Sequence, residues 1–371
     1  MAIPRTGTHV ETGAELLAVL LAAPREDRRA LAGSSRRFRS RELCELLIAS
    51  SFELRYTDAD QMEERASLAL SVAGQLDAAA AGGARELQDL RAKACAHLGN
   101  AFRIRGRFAA AERALARARV HWFESFRDAV LEATILEFTA TLLESRRDFH
   151  GALEQLEQAC AIHRERGDNP ALVQTLIKAG IVWGYANRPA TAVRLLRQAL
   201  GLIEVDRDPR LAWIALHALT WNLVDAGYPE EALAVHHANE DLAQHARSPL
   251  MELKAIWLQG HMAAALGQHE TAERRLVQAR YGYEEREMPY EAALVSLELA
   301  VLYARTGRFA ELDGLTGEIL PIFQTLGIEP EAAATVLLHR SVVQRERAVE
   351  LLSQVITAVK LIGSEPAAAM A

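Results

Sequence analysis

Cysteine is scarce in this chain. There are three in 371 residues, Cys44, Cys95 and Cys160. They are far apart and odd in number, so no disulfide framework or CxxC pair can form, and a reducing compartment is the simplest setting. Long apolar runs are also missing. Nothing approaches the roughly 18–20 residues needed to cross a bilayer. The stretch Ala14–Ala23 is short, follows Glu11, contains Glu15 and lacks the basic flank and cleavage site of a secretory signal. Positive charge is not in excess: the net charge is −7. That argues against coating nucleic acid, although a local basic patch stays open. Sustained period-2 alternation bounded by hairpin signals is absent, so no sheet is expected.

Catalytic signatures are lacking too. There is no GxxxxGK[ST], no GxGxxG after a strand, no GxSxG, no HExxH and no Cys/His zinc set. His236 and His237 are adjacent, so on a helix they point about 100° apart and cannot ligate together as an i,i+4 pair. The cysteines lie in apolar helical patterns, where an inert buried thiol is expected. The expectation is a cytoplasmic protein that is not an enzyme and has no metal, cofactor, nucleic-acid or membrane partner.

What is present is a repeat. Pro170, Pro209, Pro249, Pro289 and Pro330 are 39, 40, 40 and 41 residues apart. Each precedes an Ala/Leu-rich helical stretch, and proline fits the first turn of a helix. Midway through each unit lies a second marker, ending at Ala111, Ala152, Ala192, Ala232, Ala272 and Leu312, with spacings of 41, 40, 40, 40 and 40. Gly106, Gly227, Gly267 and Gly307, with Asn187, precede these markers where a helix must stop and positive φ is useful. Four and seven residues after the marker the pattern is apolar, then small: Ala111-Leu115-Ala118, Ala152-Leu156-Ala159, Ala192-Leu196-Ala199, Ala272-Leu276-Ala279. These residues share one helix face. Upstream of each turn sits another small or short residue: Gly99, Ala140, Gly180, Thr220, Gly260, Ala300. Each unit therefore reads as helix, tight turn, second helix, short connection.

Cys95, Leu98-Gly99, Phe102, Ala111, Leu115 and Ala118, repeated by Leu176, Ala179-Gly180, Trp183, Ala192, Leu196 and Ala199, resemble the tetratricopeptide repeat (TPR) family. The usual unit is about 34 residues. The longer period here is similar to the long TPRs of kinesin light chains and bacterial signal-responsive regulators. HEAT and armadillo repeats overlap in period and are the structural alternative. The resemblance implies an all-α fold: a right-handed α-solenoid of about seven to eight antiparallel helix pairs.

The expected organisation is as follows. Residues 1–40 form a short helix near 11–23 and an arginine-rich cap, whose cluster Arg25, Arg28, Arg29, Arg36, Arg37 and Arg39 runs on to Arg41 at the start of the stack. Residues 41–362 form the stack, with pairs near 41–77, 86–120, 128–166, 170–205, 209–246, 249–286 and 289–326 and a degenerate pair at 330–362. Residues 363–371 are a disordered tail. Ala78–Ala81 with Gly82-Gly83 reads as a loop insertion between pairs.

A TPR-like stack implies a concave groove lined by the first helix of each pair. Carrying the groove positions over names Lys93, Asn100 and Arg103; Thr134, Glu137, Thr141 and Glu144; Gln174, Ile177, Ile181 and Tyr185. It continues with His217, Trp221 and Asp225; Lys254, Trp257 and His261; and Leu297, Val301 and Arg305. Lys93, Asn100 and Arg103 are expected to grip a carboxylate and backbone amides. Glu137 and Glu144 make an acidic middle. Tyr185, His217, Trp221, Lys254, Trp257, His261 and Arg305 complete the partner-binding set, with the tryptophans as an aromatic wall. The competing reading packs the tryptophans between first helices and leaves the charges solvated. Only the first unit carries part of the Lys/Asn/Arg set of chaperone-tail clamps, so that role is not expected.

The functional expectation is a non-catalytic scaffold or adaptor that binds a peptide or a segment of a partner protein in the groove. The alternative is a ligand- or peptide-responsive regulator whose effector is a separate chain. Monomer and homodimer through the terminal helices, where Leu337, Leu338, Val342 and Val343 leave an apolar end, are both open.

Overall fold

Helix follows helix throughout residues 11–246, 249–286 and 288–325, the residues that the computed structural model describes. The expected degenerate pair at 330–362, its apolar end, Pro330 and the tail from 363 lie outside the described residues. The chain divides into two compact units. The first comprises residues 1–147 and 154–167. It holds α1 (Gly13–Ala22), α2 (Arg25–Ser34), α3 (Arg41–Glu53), α4 (Ala59–Gln75), the single turn α5 (Ala78–Ala81), α6 (Ala84–Ile104), α7 (Phe108–Glu124), α8 (Ala129–Ser145) and most of α9 (Phe149–Arg166). The second comprises residues 148–153 and 168–371. Beyond the first turn of α9, it holds α10 (Asn169–Tyr185), α11 (Pro189–Leu200), α12 (Pro209–Asp225), α13 (Pro229–Ala238), α14 (Pro249–Ala265), α15 (His269–Glu284), α16 (Pro289–Arg305) and α17 (Phe309–Thr325). No strand occurs among the described residues. The all-α solenoid expectation is met.

Three of the first helices start at an aspartate cap. Asp128, Asp168 and Asp208 cap α8, α10 and α12, each accepting from the N–H three residues on at 2.8, 3.1 and 2.9 Å. Such a side chain satisfies one of the donors that a helix N-terminus leaves free. Pro170, Pro209 and Pro289 sit in the first turns of α10, α12 and α16, and Pro249 opens α14.

The turn inside each pair is equally regular. Gly106, Gly227, Gly267 and Gly307 take φ of 69, 86, 72 and 74°, and Asn187 takes 55° in the same position. In the second repeat Arg147 occupies it at φ 63°, a strain that glycine would remove. The backbone then folds back. Arg107 N–H donates to Phe102 O at 2.8 Å, and Arg188, Tyr228, Gln268 and Arg308 repeat that bond five residues back at 2.8–2.9 Å. This closes the free carbonyls of the first helix in a left-handed cap.

The two helices of a pair meet through size complementarity. A Cβ on Gly99, Gly180 or Gly260 would lie 2.7, 2.6 or 2.8 Å from the side chain of Leu115, Leu196 or Leu276, the residue sixteen positions later. Glycine is what lets each leucine reach the neighbouring backbone. The leucines are 4, 0 and 0% exposed, and Ala111, Ala152, Ala192, Ala232 and Ala272 are fully buried. The other units depart from this pairing: Ala140/Leu156 stands there in the second and Ala300/Thr316 in the sixth, and the fourth departs furthest. Thr220 stands in the glycine position and His236 in the leucine position. There α13 stops at Ala238 and a 3-10 segment, Glu240–Ala246, replaces its second half.

The arginine-rich connection near the N-terminus is partly helical, with Arg25, Arg28 and Arg29 on α2 and Arg36 and Arg37 in a 3-10 turn. Its charges are mostly answered locally. Arg28 donates to Leu21 O and Ala23 O and pairs with Glu64 at 3.1 Å. Arg37 pairs with Glu11 and Arg41 with Glu45. The Ala78–Ala81 segment is one helical turn, closed by Gly82 at φ 95°. Among the described residues no helix is long and apolar enough to cross a membrane.

Candidate functional site

In the second unit the first helices α12 and α14 bring Trp221, Trp257 and His261 together. The register accounts for this. Trp221 and His261 each follow the small residue of their helix by one position, and Trp257 precedes Gly260 by three. Helical spacing puts those offsets on one face. The Trp221 ring lies over His261 with centroids 4.4 Å apart and planes at 7°. Trp257 meets Trp221 edge-on at 5.1 Å and Tyr283 edge-on at 6.0 Å. Trp221, Trp257 and His261 are half-buried, whereas Tyr283, in contact with Trp257, is fully buried. The Trp257 Nε1 and the Tyr283 hydroxyl find no hydrogen-bond partner among the described residues.

His261 is held by carboxylates from both neighbouring first helices. Its Nδ1 lies 3.3 Å from Glu298 Oε2 on α16, and its Nε2 lies 3.3 Å from Asp225 Oδ1 on α12. Burial works against the imidazolium. The charge and hydrogen bonds of Glu298 and Asp225 outweigh that and raise its pKa to about 10. An imidazolium stacked on an indole gains a cation–π contribution. One turn back, His217 stacks on Trp213 at 5.1 Å. Burial, then the charge of Lys254, depresses His217 to about 3, so it is neutral. Lys254 and Arg305 make no ion pair among the described residues. The face thus offers half-buried aromatic rings, a fixed imidazolium and two unpaired cations, with the two acids already engaged by His261.

The remaining groove residues of this unit are dispersed. Tyr185 is exposed at the end of α10, its ring 6.1 Å from Phe149. Gln174 is exposed, Ile177 is buried, and Ile181, Leu297 and Val301 are half-buried.

In the first unit the charged residues are internally engaged. Lys93 pairs with Asp89 on its own helix at 2.7 Å. Asn100 is 5% exposed and accepts from Arg103 through two bonds of 3.1 Å. Glu137 contacts buried His163 at 3.2 Å. Glu144 also has a partner. Thr134 and Thr141 turn their hydroxyls back to the carbonyls of Val130 and Glu137. The aromatic feature here is one that reading the groove offsets missed. His97 on α6 stands edge-on between Phe52 on α3 and Phe138 on α8, with centroids 5.6 and 5.4 Å away. His97 and Phe138 both lie two residues before the small residue of their helix, and so does Glu298. That offset is the signal which would have found all three.

The cysteines are buried. Burial pushes the Cys44 thiol up to about 12 and Cys160 up to about 11, so neither is a thiolate near neutral pH.

No family model and no curated protein matches the sequence. Solved structures do. A Rap protein in complex with the competence and sporulation factor superposes with a TM-score of 0.68 at 16% identity, over 86% of this chain and 88% of that one. The apo quorum sensor NprR from B. thuringiensis gives 0.54 at 14% identity over 90% and 91%. Aspartyl phosphate phosphatase F from Bacillus subtilis gives 0.55 at 14% identity over the full length of both chains. The fold is that of the tetratricopeptide-type repeat proteins. At these identities the likeness is one of architecture, and the chemistry of the TPR-type face must be argued from its own residues.

Proposed function

We propose that this protein is a non-catalytic scaffold or adaptor of the cytoplasm that binds a peptide or flexible segment of another protein along the first-helix face of its second unit. The observation that carries the reading is the Trp221–Trp257–His261 cluster. Its aromatic rings are half-exposed yet locked in place before any ligand arrives, and pre-organised aromatic anchors supply most of the energy at such surfaces. Lys254 and Arg305 suit a segment with a carboxylate beside an apolar side chain. The high thiol pKa values of Cys44 and Cys160 fit a role without a cysteine nucleophile.

One observation favours the second reading, a ligand-responsive regulator with its effector on another chain. The Asp225–His261–Glu298 contacts join three successive first helices, so a ligand that displaces Trp221 acts on all three. That similar folds include a quorum sensor and a protein in complex with a competence and sporulation factor supports this reading.

The test is affinity capture from native extract with the wild-type chain, Trp221→Ala/Trp257→Ala, and Lys254→Glu/Arg305→Glu. Loss of the same partner in both variants, with helicity retained, supports the site. Unchanged capture rejects it. Small-angle scattering with the captured ligand then separates scaffold (unchanged dimensions) from regulator (changed dimensions).

A further inference from the structure

The second helix of the first full repeat, α7, and the turn that follows it carry exposed aromatic rings. Phe123 and Phe126 are 62 and 56% exposed, and Val120 and Val130, close to them in sequence, are exposed too. Burial of the opposite face explains why they are not needed for folding: Ala111, Ala114, Leu115 and Ala118 face inward. On the outer face Arg113, Arg117, Val120 and Phe123 follow one another at helical spacing. They form a ridge about 15 Å long. Arg113, Arg117 and Arg119 make no ion pair among the described residues. Guanidinium groups also cover the rings: Arg127 stands 3.9 Å from the Phe123 centroid, and Arg85 from α6 stands 5.8 Å from Phe126. Of the acids on α7, Glu112 is engaged by Arg146 at 3.1 Å, which leaves Glu124. The local field is positive. His121, between these residues, is held below its ordinary pKa by burial and then by Arg91 and Arg117.

We propose that this ridge docks an acidic amphipathic helix of a partner protein, with the partner's apolar residues seated on Val120, Phe123 and Phe126 and its carboxylates on Arg113 and Arg117. Charge selects this occupant. In a chain of net charge −7, a concentrated basic strip is unpaired while apolar rings stand out of it. A two-fold contact with a second copy would set like charges against each other, which is costly. A nucleic acid would need free ring faces for stacking, and Arg127 occupies one face of Phe123. The ridge carries none of the residues assigned to the ligand face of the second unit.

The probe is a fluorescent helical peptide of about 18 residues with leucine at i, i+3 and i+7 spacing and glutamate elsewhere. A second peptide has lysine at every glutamate. Anisotropy should show the glutamate peptide binding at least about tenfold tighter than the lysine peptide, and losing about tenfold between roughly 50 and 500 mM salt. Arg113→Glu/Arg117→Glu should lose about tenfold for the glutamate peptide and gain for the lysine peptide. Phe123→Ser/Phe126→Ser should lose as much with no change in salt slope. All these side chains are exposed, so circular dichroism should not change. Equal binding of both peptides, or indifference to both variants, overturns the proposal. So does tighter variant-sensitive binding of poly(U) or of phosphatidylserine vesicles. A concentration-dependent dimer that Phe123→Ser/Phe126→Ser abolishes also overturns it.

Discussion

Trp221 lies flat on His261, 4.4 Å between ring centroids and 7° between planes, while Asp225 and Glu298 grip the same imidazole from the two flanking helices. The stack is therefore an electrostatic joint as well as a packing contact. Its pH behaviour follows from the sign of the shift. His261 is raised to about 10 in the folded chain, against about 6.5 unfolded. Its contribution is complete below about pH 6.5 and is lost as pH rises through about 10.

His261→Gln should lower stability by about 2–3 kcal/mol at pH 6, because it leaves two half-buried carboxylates facing each other. The difference from wild type should shrink steadily toward pH 10, where the wild type loses the same charge. Urea unfolding at pH 6, 8 and 10 checks this. A difference that stays constant across the range assigns the loss to packing alone.

The opposite sign holds for His97 and His217. Burial depresses them to about 4 and about 3, so both fold neutral. Stability is fully present above about pH 6.5 and falls with acid, by up to about 1.4 kcal/mol per pH unit for each group, until the folded pKa is reached. His97→Phe keeps an aromatic ring between Phe52 and Phe138 and removes a buried Nδ1 that has no partner. The variant should match or exceed wild type at pH 7 and resist acid better. Thermal melts from pH 7 down to pH 4 measure it; parallel curves for variant and wild type would contradict the assignment.

Glycine at the crossing of two helices should be irreplaceable where the gap is filled and dispensable where it is open. Gly180→Ala pushes a methyl to 2.6 Å from Leu196 and should cost roughly 1–3 kcal/mol. Combined with Leu196→Ala the penalties should not add, since each change relieves the other. Gly74→Ala, in α4 with nothing near its Cβ, should instead stabilise by up to about 1 kcal/mol. Chemical denaturation of the four variants decides; additive penalties at Gly180 and Leu196 would show that they are not in register.

The repeat was legible because its markers are backbone constraints. Proline in a first turn, glycine at a left-handed cap and glycine under a leucine are each dictated by one local geometry, so they recur at a fixed period. Arg147 shows the limit: it adopts the glycine conformation at φ 63° without a glycine to announce it. The candidate site was legible only through offsets. Trp221, Trp257 and His261 fall on positions that a groove-lining pattern names. Phe52, His97, Phe138 and Glu298 contact their neighbours from other positions, and nothing in a single chain says which helix stands opposite. Pairings such as Glu137 with His163, or Asn100 with Arg103, turn residues that look available in sequence toward the protein itself.

The fourth pair offers the most direct test of how the stack is specified. Gly99/Leu115, Gly180/Leu196 and Gly260/Leu276 share one register, and Thr220/His236 occupies it in the pair whose second helix breaks after Ala238. We attribute the break to the exchange, although α11 also ends early, at Leu200, with Gly180/Leu196 in place. Threonine fills the space that a leucine would enter; its hydroxyl turns back to Leu216 O at 2.8 Å, and a histidine reaches less apolar surface than a leucine. His236→Leu alone should therefore destabilise, because the leucine meets Thr220. Thr220→Gly alone should destabilise by leaving a gap and a flexible backbone. The double variant should recover stability, with a favourable coupling of about 1 kcal/mol or more, and should carry α13 into the 3-10 segment at Glu240–Ala246. Amide exchange across residues 239–246 reads the outcome: protection rising only in the double variant places the irregularity in these two side chains, whereas unchanged exchange places it in the connection that follows.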